Sequence, residues 1–207
     1  MAGAQVRLLP PSIPYRFFIA SSLYHITAWG LLLVSADSVP DFQGGQGFVL
    51  AALHALTLGV FVMVAMGASF QILPVVTNQS IARLWPVKLA SYLFIPGVGV
   101  LIAGFSIGHY MAMIAGGWLV TAGLALYTFT VLGLLTGASG FKVLTMHIRL
   151  AFVFLVVLVA LGLGMIFGVT PLGHILTTAA HGSLAVYGFM GFFAMGFGAI
   201  LVPMFAL

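Results

Sequence analysis

Phe48–Val76 reads FVLAALHALTLGVFVMVAMGASFQILPVV and contains no Asp, Glu, Lys or Arg. His54, Thr57, Ser69 and Gln71 are its only polar side chains. Crossing the hydrocarbon core of a bilayer takes about 20 mostly apolar residues in a helix. This run exceeds that, and its apolar residues are continuous rather than alternating. A membrane β-barrel would instead show alternating segments of about ten residues. The stretch therefore reads as a transmembrane helix. Five further runs read the same way, at residues 17–36, 87–107, 109–136, 148–169 and 177–207. The expected fold is an all-α polytopic membrane protein with six spans in a single transmembrane domain over 1–207.

The rest of the composition agrees. The chain has 207 residues, 63% of them hydrophobic and 4% charged. Soluble domains carry roughly a quarter charged residues. That contrast excludes a water-soluble enzyme, a disordered tail and a nucleic-acid binder. With no Cys, the chain itself offers no disulfide, thiolate metal site, iron–sulfur cluster or c-type haem attachment.

Breaks between the spans carry turn chemistry. Asp37, Pro40, Asp41 and Gly44-Gly45-Gln46-Gly47 form one loop, and residues 78–86, 137–142 and 170–173 form others. Between the third and fourth spans only Gly108 interrupts the apolar run, so that turn is expected to be tight. Pro96 lies inside the third span and is expected to kink it, because proline lacks the N–H that the helix needs.

Charge gives an orientation. Arg7 and Arg16 precede the first span, Arg83 and Lys88 flank the second loop, and Lys142 and Arg149 flank the fourth. The only acids, Asp37 and Asp41, fall on the opposite side. The positive-inside rule then places both termini in the cytoplasm, in an inner (cytoplasmic) membrane. Val34-Ser35-Ala36 resembles a signal cleavage site. The apolar core before it is longer than the about 7–15 residues of a signal peptide, so the first span is read as retained. The chain ends on Pro203-Met204-Phe205-Ala206-Leu207, still apolar. That ending reads either as a stop at the membrane edge or as the N-terminal part of something longer.

The second and sixth spans align without a gap at an offset of 129 residues. Gly59 falls on Gly188, Ala65-Met66-Gly67 on Ala194-Met195-Gly196, and Pro74 on Pro203. A weaker match sets Arg16-Phe17 near Arg149-Leu150. The implied unit is four helices, 1–140, followed by the first half of a second unit, 141–207.

Ionisable groups inside spans are costly and mark function by default. With both acids in a loop, the titratable side chains left in the spans are mainly histidines. His109, His147 and His174 read as interfacial, with His174 in the loop before the last span. His25 is mid-span, where Thr27, Tyr24 or a carbonyl would satisfy it if it is not a ligand. His54 and His181 lie near the same depth from the outer side, beside small residues such as Ala55, Gly59, Gly182 and Ala185. Imidazole is the commonest haem and metal ligand, but buried histidines and small residues also serve ordinary helix packing.

The segments His54-Ala55-Leu56-Thr57-Leu58-Gly59 … Gly67 … Pro74 and His181-Gly182-Ser183 … Gly188 … Gly196 … Pro203 resemble the haem-bearing helices of haem–copper oxidase and nitric oxide reductase subunit I. The C-family oxidases and their subunit I-like relatives are the nearest in character. That family has twelve helices in three four-helix arcs, so its second, sixth and tenth helices are equivalent. The resemblance implies an oxidase-like repeat, of which one and a half units are seen, and haem b. It places a low-spin haem ligand on His54 and a copper-ligating His on His181. In the family the second axial ligand comes from the tenth helix; within six helices His181 or His25 would have to substitute, or another chain would supply it. The copper site that the resemblance implies is incomplete, because the family's adjacent histidine pair of helix 7 and all of its helix 10 would lie beyond Leu207. Two further departures are Ser183, where the family's tenth helix has its second histidine, and Tyr187, six residues after His181 rather than four.

The implied activity is electron transfer, or the binding or reduction of dioxygen or nitric oxide, as a respiratory oxidoreductase subunit rather than a complete oxidase. Beyond the lipid bilayer, the implied partners are further membrane subunits or a redox partner, with no nucleic acid. The competing reading is a non-haem membrane subunit or a small-solute or proton-coupled transporter of the same architecture. The topology is testable first. Gln43→Cys should label with an impermeant thiol reagent in intact cells and Ser80→Cys should not; the reverse pattern refutes the orientation.

Overall fold

The computed structural model describes residues 8–138 and 140–206. Of the described residues, 82% are helical. Among the described residues six helices are long and apolar enough to span a membrane: α1 (Ser12–Val34), α2 (Phe48–Val76), α3 (Trp85–Ile107), α4 (Tyr110–Leu135), α5 (Lys142–Ile166) and α6 (His174–Ala206). A short 3-10 turn, Ala36–Ser38, follows α1. The loop after it takes left-handed backbone at Gly44, Gly45 and Gly47.

Several expected boundaries move. The first helix is Ser12–Val34 rather than 17–36, so Arg16 lies within it and does not precede it. The fifth helix begins at Lys142, six residues before the apolar run. Leu144 and Ile148 are buried while Lys142 and Arg149 remain exposed, so a one-sided first turn extends the helix past its cations. His174 is the first residue of α6, after Gly173 at φ 76°, and is not in the loop. At Pro96, α3 runs on unbroken. Arg7, one of the six cations used for orientation, lies outside the described residues.

The chain divides into two compact units. The first is Met1–Val76 with Ser80–Val131, and the second is Thr77–Gln79 with Leu132–Leu207.

In the first unit, glycine sets how closely helices approach. α3 and α4 form an antiparallel hairpin turned at Gly108. That residue has φ 66°, and the His109 N–H donates to the Gly104 carbonyl at 2.9 Å. The tight turn expected there is found. The two helices then meet backbone to backbone. A Cβ on Gly97 would lie 2.7 Å from Leu119 Cβ, one on Gly104 2.7 Å from the Met113 nitrogen, and one on Gly123 2.7 Å from Phe94 Cβ. Gly116 is tighter still, against Leu101. Gly97 and Gly104 are one heptad apart, as are Gly116 and Gly123, so each helix presents a flat small-residue stripe to the other. Without a hydrophobic drive between helices in lipid, such close van der Waals contact is what holds them.

α1 lies antiparallel to α2, and both pack on α3. The Tyr24 hydroxyl donates to the Ile95 carbonyl at 2.6 Å. Toward the start of α1 an aromatic column forms. The Phe17 and Phe70 rings are 5.8 Å apart, and Phe70 meets Tyr127 edge-on at 5.3 Å. Fully buried Tyr127 lies 3.0 Å from Ser69 Oγ, whose own hydrogen goes to the Met66 carbonyl at 3.1 Å. Ser69 therefore accepts from the Tyr127 hydroxyl, and both polar groups are satisfied without water.

In the second unit, α5 and α6 form another antiparallel hairpin. Gly188 faces Phe154 and Gly196 faces His147.

The helix contacts predict a contrast between glycines. Gly116→Val forces a branched side chain into the Leu101 backbone and should destabilise the fold by about 1–3 kcal/mol. Gly133→Val has nothing among the described residues within 4 Å of its Cβ and should be near neutral. Thermal unfolding in detergent, followed by circular dichroism, reads the difference.

Candidate functional site

Each of the two glycine-marked spans changes pitch. α2 is α-helical over Phe48–His54, π-helical over Ala55–Val62, and α-helical again over Met63–Val76. α6 is α-helical over His174–Ser183, π-helical over Leu184–Gly191, and α-helical over Phe192–Ala206. Ala55 and Leu184 are 129 residues apart, and so are Val62 and Gly191. The offset read from Gly59, Gly67 and Pro74 thus recurs in the backbone. π segments inside α-helices are rare and concentrate at functional sites.

The fifth residue of each π segment is a glycine that seats an aromatic ring from the preceding helix. A Cβ on Gly59 would lie 2.6 Å from Tyr24 Cβ, and one on Gly188 would lie 2.9 Å from Phe154 Cγ. Two turns on, a Cβ on Gly67 would lie 3.0 Å from Phe17, and one on Gly196 3.1 Å from His147. Tyr24 and Phe154 are 130 residues apart, as are Phe17 and His147. These contacts correct the weaker sequence match. Arg16 does not correspond to Arg149, because the hairpin register places Met146 at that position. The match of Arg-aromatic to Arg-leucine had followed side-chain type where the packing follows the glycines.

His54 is the last residue before the first π segment and lies about 9 Å from the start of α2. It is half-buried. Its Nδ1 is 3.0 Å from the Leu50 carbonyl. A carbonyl only accepts, so Nδ1 carries the hydrogen, and in the neutral ring the lone pair is on Nε2. Its ring centroid is 4.7 Å from that of Phe105 on α3. His181 lies about 10 Å from the start of α6, three residues before the second π segment. Its Nδ1 is 3.1 Å from the Leu158 carbonyl on α5, which gives the same tautomer. Gly162 makes room for the ring, since a Cβ there would be 2.9 Å from His181 Cε1. At the common offset the counterpart of His54 is Ser183 and that of His181 is Ala52, so the two histidines share a tautomer but not a register position.

The other histidines are engaged differently. His25 is exposed on α1, and its Nε2 accepts the Trp29 indole N–H at 2.8 Å. In that arrangement Nδ1 carries the hydrogen and the ring offers no lone pair. His109 precedes α4, where its Nδ1 accepts the Ala112 N–H at 3.2 Å, an ordinary capping role. His147 bonds the Val143 carbonyl at 2.8 Å beside the Phe192 ring. His25 and His54 belong to the first unit but are held by different elements, and His181 belongs to the second unit. Among the described residues no three His, Cys, Asp or Glu side chains come together as a metal-holding group.

Sequence reasoning missed several partners. The four-residue spacing of His25 and Trp29 was a legible signal for their contact. Phe105 and the Leu158 carbonyl come from other helices and had none. At the far end of the first unit, the Arg16 guanidinium sits 5.2 Å above the Tyr92 ring, with Nη1 buried and making no hydrogen bond among the described residues; Gln71 Oε1 is in the same condition. No family model, curated protein or solved structure matches the chain.

Proposed function

We propose that the protein is an integral membrane b-type haem protein, related to haem–copper oxidase subunit I, that transfers electrons or binds or reduces dioxygen or nitric oxide. The observation that carries this reading is His54. Its Nδ1–H is anchored on the Leu50 carbonyl, which directs the lone pair to Nε2, at the mouth of a π segment that recurs in α6. Haem-ligating histidines are commonly oriented this way, by a hydrogen bond from the ring nitrogen that does not bind the metal. The donor set therefore fits a haem iron, which Nε2 of His54 would hold. His181, with the same tautomer, is the second unit's own candidate metal ligand, as for a copper site completed from elsewhere. His25 serves less well while Trp29 occupies its Nε2. When bound, haem would supply a one-electron redox centre and could take up a diatomic gas.

The chain's own residues set the conditions for that chemistry. Leu50 and Leu158 fix ring orientation, and the apolar spans exclude water. In this reading the four-helix repeat is oxidase-like, the membrane is a bacterial inner membrane or its equivalent, and both termini are cytoplasmic. A redox partner or further membrane subunits would deliver the electrons.

The same Nδ1 bonds also satisfy a histidine that merely packs, so a non-haem subunit or transporter of this architecture is the second reading. The two part on colour. Dithionite-reduced protein purified in detergent should show b-type Soret and α bands. His54→Ala should abolish the low-spin signal or convert it to high-spin, while His147→Ala and His174→Ala leave it intact. A colourless, pyridine-haemochrome-negative preparation would favour the non-haem reading. An unchanged low-spin spectrum in His54→Ala removes His54 as ligand.

A further inference from the structure

One face of α1 carries polar groups into the middle of the membrane with no neighbour among the described residues to receive them. His25 is about 20 Å from the first residue of α1 and about 14 Å from the last, far from water at either end. It is exposed, and Trp29 beside it is 59% exposed. Because Nε2 accepts the Trp29 N–H, the hydrogen on His25 is at Nδ1, and Nδ1 has no acceptor among the described residues. Acyl chains offer none. An unmet N–H in an apolar medium costs roughly 2–7 kcal/mol, so lipid alone is a poor cover for this face.

The face also carries an acceptor. Ser22, one turn before His25 and likewise exposed, donates its hydroxyl hydrogen to the Phe18 carbonyl at 3.1 Å. Its oxygen retains lone pairs. Tyr15, Ser22, His25 and Trp29 are spaced seven, three and four residues apart. That is the seam of a left-handed two-helix coil, with Tyr15, Ser22 and Trp29 in one set of layers and His25 in the other.

The geometry points to a second copy of this chain as the occupant of that face, in a parallel α1–α1 dimer with its two-fold axis along the membrane normal. Copies inserted with one topology necessarily run parallel. Across such a seam His25 and Ser22 of opposing helices sit in adjacent layers, about 4.5 Å apart along the axis. The Nδ1–H of each His25 is then within reach of Ser22 Oγ in the second copy, and the contact is reciprocal, as an isologous interface requires. The Trp29 indole holds each imidazole in the tautomer that donates. The dimer does not depend on haem.

The chain has no cysteine, which makes the test clean. Tyr15→Cys in the otherwise intact chain, in dilute phosphatidylcholine–phosphatidylglycerol vesicles, should form a disulfide dimer under a lipid-soluble oxidant. Phe129→Cys, on an exposed position of α4, should not. In the Tyr15→Cys background, His25→Ala and Ser22→Ala should each reduce the dimer about threefold to tenfold. The double variant should be no worse than either, and His25→Gln, which keeps an N–H donor, should recover part of it. Absence of the Tyr15 cross-link, equal cross-linking at Phe129, or His25→Ala and Ser22→Ala effects that multiply independently would each overturn the proposal.

Discussion

Hydrocarbon supplies no hydrogen bonds, so every backbone N–H and C=O in this chain has to be met from within. Most of the structure follows from that constraint. It selects helices throughout the spans and leaves helix–helix association to contact alone. Glycine is what makes the contact close. In the α3–α4 hairpin, stripes of Gly97 and Gly104 on one helix and Gly116 and Gly123 on the other bring backbone against side chain and backbone. Polar side chains obey the same rule. Tyr127 and Ser69 satisfy each other in the aromatic core, Tyr24 reaches the Ile95 carbonyl, and His54 and His181 each spend Nδ1 on a carbonyl.

The two hairpins α1–α2 and α5–α6 solve the packing problem in one way. In each, the second helix opens into a π segment whose fifth residue is glycine, and an aromatic ring of the first helix sits on that glycine. The second helices correspond at 129 residues and the first helices at 130, a difference of one residue absorbed between them. A π segment adds a residue to a turn and re-aims the side chains around it. In α2 that change of pitch begins directly after His54. A widened turn next to an anchored imidazole is a reason to expect chemistry there, and it is the structural ground on which the haem proposal stands.

Much of this was legible beforehand, for identifiable reasons. Six spans follow from uninterrupted apolar runs, and the sharp turn at Gly108 from the lack of any other break. The 129-residue offset was visible because glycine and proline are constrained by backbone geometry and hold their spacing. What was not legible depends on the third dimension. The start of α5 was masked because Lys142 and Arg149 interrupt hydropathy without interrupting the helix. The relation of Phe17 to His147 was invisible because the packing equates a phenylalanine with a histidine by position, not by type. The π segments leave no compositional trace. For His54 and His181 the sequence offered depth and small neighbours; the tautomer needed the carbonyls of Leu50 and Leu158, and the second of these comes from another helix.

A direct measurement on the repeated hairpin is a carbon–carbon correlation spectrum of the protein in bilayers, by solid-state NMR, with glycine, tyrosine and phenylalanine labelled. Two contacts are predicted together, the Tyr24 side chain with Gly59 and the Phe154 side chain with Gly188. Finding the first without the second, or finding Gly188 against a different residue of α5, would contradict the common construction of the two hairpins.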